Sequence, residues 1–286
     1  MHHRWLSILL LIFIATPLWA GDAKIKTEKK VVYGKGDDVD LELDLAMPEG
    51  KGPFPAVVCI HGGGWKAGSR QQLTPLTELL AKNNFVAVTV TYRFAPKYKF
   101  PAQIEDCKAS VRWLRANAGK YNVNPDRIGT VGFSAGGHLA CLLGSADEKA
   151  GFEGKGGHPK ESTKVQAVCS YFGPTDFTEK TWTRDVENIF FVGFLGGTFE
   201  EKKDDYRRCS PIIYCTKEAP PFLFFHGAKD LLVGIEHSQK MSKRLTGLGV
   251  SAELVTMPDD AHGWGGEKLT KTLDQTVRFF KDKLQK

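Results

Sequence analysis

A chain of 286 residues, 42% hydrophobic and 25% charged, carries enough apolar material for one large globular domain and excludes collagen-like, low-complexity and disordered classes. Its formal charge of +6 is dispersed over separate patches at 24–30, 97–99 and 281–286. No basic groove with interleaved aromatics results, which argues against a nucleic-acid partner.

In chain order, residues 1–20 read as an export signal. Arg4 is positive, 6–15 is a short apolar run, and Pro17-Leu18-Trp19-Ala20 offers a cleavage site before Gly21. The run is shorter than the roughly 20 residues of a membrane span. The expected mature chain, 21–286, is secreted or periplasmic and has no stable membrane partner. Segments 30–33 and 39–46 then read as an antiparallel hairpin at a sheet edge, joined by Gly34-Lys35-Gly36-Asp37. In the second, Val39, Leu41, Leu43 and Leu45 alternate with acidic residues, the period of a strand with one wet face.

From Pro55 onward, apolar runs at 56–60, 85–91, 127–131, 165–171, 222–225 and 250–256 alternate with amphipathic stretches. That is the pattern of a mostly parallel sheet covered on both faces by helices, an α/β class. The spacing of Ile104, Cys107, Val111, Leu114 and Ala118 predicts a helix capped at Gly119. Leu269, Leu273, Val277, Phe280 and Leu284 predict another at the C terminus. Two long connections interrupt the rhythm, 146–164 and 177–214. The latter carries Trp182, Phe190, Phe191, Phe194 and Phe199, and reads either as a small cap lining a substrate cleft or as an insertion with its own packed core. No linker or repeat divides 21–286, so one domain is expected.

The six cysteines are too sparse for a disulfide scaffold, and Cys59, Cys141 and Cys169 fall inside apolar runs. Cys209 and Cys215 are the only pair close in sequence in a loop-like context, and a bridge between them stays open. No cluster has metal-ligand spacing, so neither metal nor cofactor is expected.

The chemistry centres on Gly132-Phe133-Ser134-Ala135-Gly136, a G-x-S-x-G run between a strand-like and a helix-like segment. A sharp strand-to-helix turn would lift the Ser134 hydroxyl above the sheet edge. Serine is a poor nucleophile without a base and a group to orient that base. His262, after the last strand, and Asp230, after the run 222–225, supply both at strand ends, where a parallel sheet gathers its ligand site. Asp176, after the preceding strand, is the rival acid, while Asp259 and Asp260 read as loop surface. Upstream, His61-Gly62-Gly63-Gly64-Trp65 follows the run 56–60, and its glycines let backbone N–H groups reach an oxyanion; the expected donors are Gly63, Gly64 and Ala135. Trp65, Phe133 and Trp264, beside these residues in sequence, are candidates to contact substrate. Arg93 and Asp106 read as a structural ion pair, and His138, one helical turn beyond Ser134, as a hydrogen-bonded support.

Together, 61–65, Thr91-Tyr92-Arg93-Phe94-Ala95-Pro96, Phe100-Pro101-Ala102, 132–138, 226–230 and Ala261-His262-Gly263 resemble the hormone-sensitive-lipase-like branch of the α/β-hydrolases, and more narrowly the bacterial secreted feruloyl and acetylxylan esterases. The resemblance covers nearly all of 31–286. It departs at Phe94, commonly Leu, and at Leu231-Leu232-Val233-Gly234, where Pro-x-Val-Pro often follows the acid. It implies a serine ester hydrolase acting through Ser134, His262 and Asp230 without a cofactor, on acetylated or feruloylated plant polysaccharide. A small-molecule carboxylesterase, a formamide or amide hydrolase, and a non-catalytic binding module on the same scaffold are the competing readings. Oligomeric state is not legible in the sequence.

Overall fold

The structure is a computed structural model that describes residues 24–286; the expected export signal at 1–20 lies outside the described residues. Eight strands form one sheet: β1 (Ile25–Gly36), β2 (Val39–Pro48), β3 (Phe54–Ile60), β4 (Val86–Val90), β5 (Val123–Phe133), β6 (Ala167–Tyr171), β7 (Phe222–Gly227) and β8 (Ala252–Met257), in the order β1-β2-β4-β3-β5-β6-β7-β8. The pairs β1–β2 and β2–β4 are antiparallel, and all the others are parallel. The hairpin sits at the sheet edge, as its alternation predicts. Its turn, however, is Asp37-Asp38, and Gly34 and Gly36 pair inside β1 with Leu41 and Val39. Gly34 is there because the backbone of Gly156 lies against it, leaving no room for a Cβ.

Parallel strands need crossover segments, and helices on both faces supply them. They are α1 (Thr74–Lys82), α2 (Ala102–Ala116), α3 (Ala118–Tyr121), α4 (Ala135–Ser145), α5 (Arg184–Val186), α6 (Val192–Leu195), α7 (Lys203–Arg208), α8 (Glu236–Gly247) and α9 (Gly266–Leu284). Strand β3 shows how the core divides. Ala56, Val58 and Ile60 face the layer built from α2, α4 and α8, whereas Val57 and Cys59 face the layer of α1 and α9. All five are fully buried, so β3 reads as an unbroken apolar run instead of an alternating one. On α9 the predicted stripe, Leu269, Leu273, Val277, Phe280 and Leu284, is the buried face. Helix α2 ends at Asn117 and not at Gly119, which falls inside α3; the left-handed residue that ends the pair is Asn122, φ 56°. Asn tolerates that conformation, so the sequence cue of a lone glycine misplaced the cap.

The connection 146–164 is irregular apart from a 3-10 turn at Glu148–Ala150. The ammonium of Lys108, 1% exposed, ties it down by donating to Ala146 O, Glu153 and Thr163. The second long connection folds as α5, a π-helical turn at Glu187–Phe191, α6 and α7. Both readings of this segment describe it. Trp182 stacks on Tyr206 at 5.6 Å and Trp65 on Phe194 at 4.3 Å, which makes a packed aromatic layer, and Phe190 and Phe191 border the cleft described below. All six cysteines are free and buried. No Cys209–Cys215 bridge forms: each thiol donates to a carbonyl of its own turn, Tyr206 O and Pro211 O. Among the described residues, no helix is long and apolar enough to cross a membrane.

Candidate active site

Ser134 stands alone between the end of β5 and the start of α4, with φ 54° and ψ −119°. A non-glycine residue in the left-handed half of backbone space is strained, and such strain persists where the surroundings over-determine it. Here the Ser134 N–H donates to Tyr171 O at 2.9 Å, and Ser134 O accepts from the His138 N–H at 3.0 Å, fixing the turn from both sides. The flanking glycines are obligatory: a Cβ on Gly132 would overlap the backbone of Gly136, and one on Gly136 would overlap Ile60 O.

The chain ends of β7 and β8 bring the partners. His262 Nε2 lies 2.8 Å from Ser134 Oγ, and its Nδ1 lies 2.7 Å from Asp230 Oδ2. The second oxygen, Oδ1, accepts from the N–H groups of Leu232 and Val233, each at 2.9 Å, so the loop after β7 closes around its own carboxylate. The Asp230 side chain is fully buried. Burial alone would raise its pKa, but hydrogen bonds from His226 and His262, with the nearby positive potential and the Val233 N–H, hold it well below the usual carboxylate range. It is therefore an ionised acceptor, and that assigns a proton to His262 Nδ1 and leaves Nε2 free to accept from the serine hydroxyl. Asp176 does not take this place. Its Oδ1 accepts from the Thr178 N–H and hydroxyl, and its Oδ2 from Lys240. Asp259 and Asp260 pair with Lys229 and Lys268, as expected of loop surface.

Two supports escaped the sequence reading. His226, fully buried on β7, bonds Ser238 Oγ through Nδ1 at 2.7 Å and Val233 O through Nε2 at 2.8 Å, so it buttresses the loop that carries Asp230. Its position in the same short run as Asp230 was the available signal. Phe172, with φ 42°, sets its edge against the His262 ring at a centroid distance of 4.8 Å. No sequence pattern marks it.

The glycine loop after β3 bends with φ 115° at Gly63 and 59° at Gly64, and Gly63 O accepts from the N–H groups of Lys66 and Ala67. Behind it, the His61 ring stacks on Tyr92 at 4.5 Å, and burial pushes its pKa down to about 4, so it stays neutral. Trp65 Nε1 donates to His138 Nδ1 at 3.1 Å, and His138 Nε2 meets Cys209 O at 2.7 Å. Since Nδ1 accepts, the proton sits on Nε2 and is donated to the carbonyl; burial lowers the His138 pKa to about 4. His138 thus links the glycine loop to the cap as a neutral support. Arg93 likewise pairs with Asp106, Glu105 and Asp37, away from the chemistry.

A cavity of about 40 Å³ opens beside Ser134. Gly64, Trp65 and Ala135 border it with the serine; Val186, Phe190 and Phe191 close it from the cap, and Leu232 and Val233 from the Asp230 loop. Of the three expected oxyanion donors, Gly64 and Ala135 border this space, and Gly63 shapes the bend before it. Of the three expected substrate contacts, only Trp65 borders it. Phe133, 8% exposed, stacks on Tyr171, and Trp264, 6% exposed, donates to Thr272; both belong to the core layer under α9. For Phe133 the cause is strand alternation, which sends it to the same face as Val131.

Comparisons with known proteins agree with this architecture. Esterase LipC of Mycobacterium tuberculosis is 32% identical over 248 residues, 82% of this chain and 59% of LipC, so the chain spans little more than half the length of that relative. Among solved structures, a protein described as bifunctional GH43-CE from Bacteroides eggerthii superposes with a TM-score of 0.82 at 32% identity, covering 90% of this chain and 38% of that one. A truncated carbohydrate esterase from gut microbiota superposes with a TM-score of 0.81 at 27% identity, covering 91% and 97%. The BD-FAE family matches residues 43–245, a span that contains the glycine loop, the elbow serine and the Asp230 loop, and the chain belongs to that family of α/β-hydrolases.

Proposed function

We propose that this chain hydrolyses carboxylic esters of small acyl groups, acetate foremost, by acyl transfer to Ser134. The observation that carries the reading is the continuous line from Ser134 Oγ through the His262 ring to the buried carboxylate of Asp230, at 2.8 and 2.7 Å. In the mechanism this supports, His262 Nε2 takes the hydroxyl proton as Ser134 attacks the ester carbonyl. Asp230 holds the ring in the Nδ1–H tautomer and stabilises the imidazolium. Backbone N–H groups of Gly64 and Ala135, with Gly63 beside them, receive the oxyanion; a single donor of this kind contributes about 2.7–4 kcal/mol in the transition state. His262 returns the proton to the departing alcohol, and water then attacks the acyl-enzyme with His262 again as base.

The volume beside Ser134 limits acyl size. By the measure in which one water needs roughly 10–15 Å³, a cavity of about 40 Å³ has room for about three or four heavy atoms. An acetyl group fits beside Ser134, whereas a bulkier acyl group such as feruloyl meets the cap side chains Val186, Phe190 and Phe191. The likeness to a carbohydrate esterase and to the Bacteroides protein supports acetylated polysaccharide as the alcohol component, and export through residues 1–20 would place the enzyme where such a substrate is met. A small-molecule carboxylesterase is the second reading. It is favoured by the apolar lining of the cleft, Val186, Phe190, Phe191, Leu232 and Val233, next to which in the chain Leu231 is 97% exposed.

The two are separated by measuring acetate release from acetylated xylan and from p-nitrophenyl acetate, with methyl ferulate and a formyl amide in parallel. Polysaccharide deacetylation predicts kcat/KM on acetylated xylooligosaccharides at least equal to that on the aryl ester. Turnover of the aryl ester alone supports the second reading, and preferential turnover of ferulate or amide contradicts both.

A further inference from the structure

We propose that Phe190, held by a latch from Lys66, sets the upper limit on the length of the acyl group, an inference that rests on the ester-hydrolase reading. Phe190 lies on the π-helical turn Glu187–Phe191, the only such turn among the described residues. Single π-turns are rare and are frequent at functional sites. Its ring covers the glycine loop so closely that a Cβ placed on Gly64 would lie 2.5 Å from Phe190 Cδ1. The roof of the cavity and the oxyanion loop are therefore one contact.

The cavity is on the acyl side of the serine. The departing alcohol must take its proton from His262 Nε2 and so leaves toward that ring, whereas the walls of the cavity come from the glycine loop, the elbow and the cap, with Pro174 and, from the Asp230 loop, Leu232 and Val233; His262 is not among them. An acyl chain growing away from the carbonyl carbon runs from Ser134 toward Phe190 and Phe191. With about 40 Å³ available, it meets the Phe190 ring within a few carbons.

The latch holds that ring in place. Lys66, two residues beyond Gly64, donates from Nζ to Ile189 O at 2.6 Å and sits 5.1 Å from the Phe190 ring centroid. Lys66 is exposed, so it has no part in the core. The far end of the turn is anchored independently: Glu187, 2% exposed, accepts from Lys180 and from the Phe199 N–H. With one end fixed in the cap's interior and the other clipped to the glycine loop, the roof stays down, and long acyl chains pay the cost of lifting it.

The test is the acyl-length profile, kcat/KM on p-nitrophenyl acetate, butyrate and octanoate, for the wild type, Phe190→Ala, Phe190→Leu and Lys66→Met. Pockets of this kind discriminate roughly 10–200-fold per methylene. The expected result is a wild type that favours acetate, and a Phe190→Ala enzyme whose octanoate-to-acetate ratio rises by about tenfold or more. Phe190→Leu shifts the ratio less in the same direction, and it carries the test if the alanine variant does not fold. Lys66→Met, which keeps the apolar stem but removes the latch, also raises the ratio, chiefly through a lower KM for octanoate. A purely structural role would lower all three activities together and leave the ratio unchanged, which would overturn the proposal while leaving ester hydrolysis intact. A wild type that turns over none of the three esters would overturn the ester-hydrolase reading as well.

Discussion

Replacing Ser134 by alanine is expected to lower hydrolysis of p-nitrophenyl acetate by on the order of 10⁴-fold or more in kcat, to a residual rate owed to the oxyanion donors and to substrate binding. The reason is that the rest of the site has nothing else to activate. His262 Nε2 faces Ser134 Oγ, and the cavity bordered by that serine offers no second hydroxyl or thiol among its walls. The cysteines are poor substitutes because all six are buried, and burial pushes the Cys141 thiol, on α4 just beyond the elbow, up to about 12. Helix α4 starts at Ala135, so exchanging the preceding hydroxyl for a methyl leaves its hydrogen-bond ladder intact. The melting temperature should stay within a few degrees of the wild type, and the loss can then be read as chemistry. Retention of more than a few per cent of activity in a correctly folded Ser134→Ala protein would remove this residue as nucleophile.

Asp230→Asn carries the second large effect, about 10⁴-fold in kcat. The carboxylate is fully buried and accepts three close hydrogen bonds, from the Leu232 and Val233 N–H groups and from His262 Nδ1 at 2.7 Å, with His226 Nε2 farther off at 3.4 Å. An amide keeps one oxygen but turns a donor toward the ring. His262 would then hold its proton on Nε2, the wrong tautomer to accept from serine, and its imidazolium would lose its counter-charge. Asp176→Asn is the control, because Asp176 is engaged by Thr178 and Lys240. It should change kcat less than about tenfold, because Asp176 neither borders the cavity at Ser134 nor touches His262. A greater loss from Asp176→Asn than from Asp230→Asn would contradict the assignment.

How much of this was legible in the sequence differs from element to element. The triad and the glycine loop were readable because each lies at the end of an apolar run, and a parallel sheet collects such ends at one edge whatever the details of its crossovers. Side-chain direction was less readable. Phe133 and Trp264 adjoin Ser134 and His262 in sequence, yet strand alternation and the packing of α9 send both into the core, while Phe190, remote in sequence, reaches the glycine loop. The cap was the least legible part. Its short helices and π-turn follow no long amphipathic period. They are fixed by contacts distant in sequence, Trp65 on Phe194 and Lys66 on Ile189, which local pattern does not encode. His226 is hard to read for the opposite reason: a histidine near the end of an apolar strand looks ordinary until the loop it supports is seen to wrap the carboxylate.

Reaction with paraoxon followed by peptide mass spectrometry asks whether Ser134 is the one activated nucleophile and forms a covalent acyl-enzyme. One diethylphosphoryl group per chain is expected, located on the peptide containing Ser134, with complete loss of esterase activity and with no adduct on the Asp230→Asn protein in the same time. An unmodified Ser134 peptide in a fully inhibited enzyme, or an adduct on any other residue that tracks the loss of activity, would contradict it.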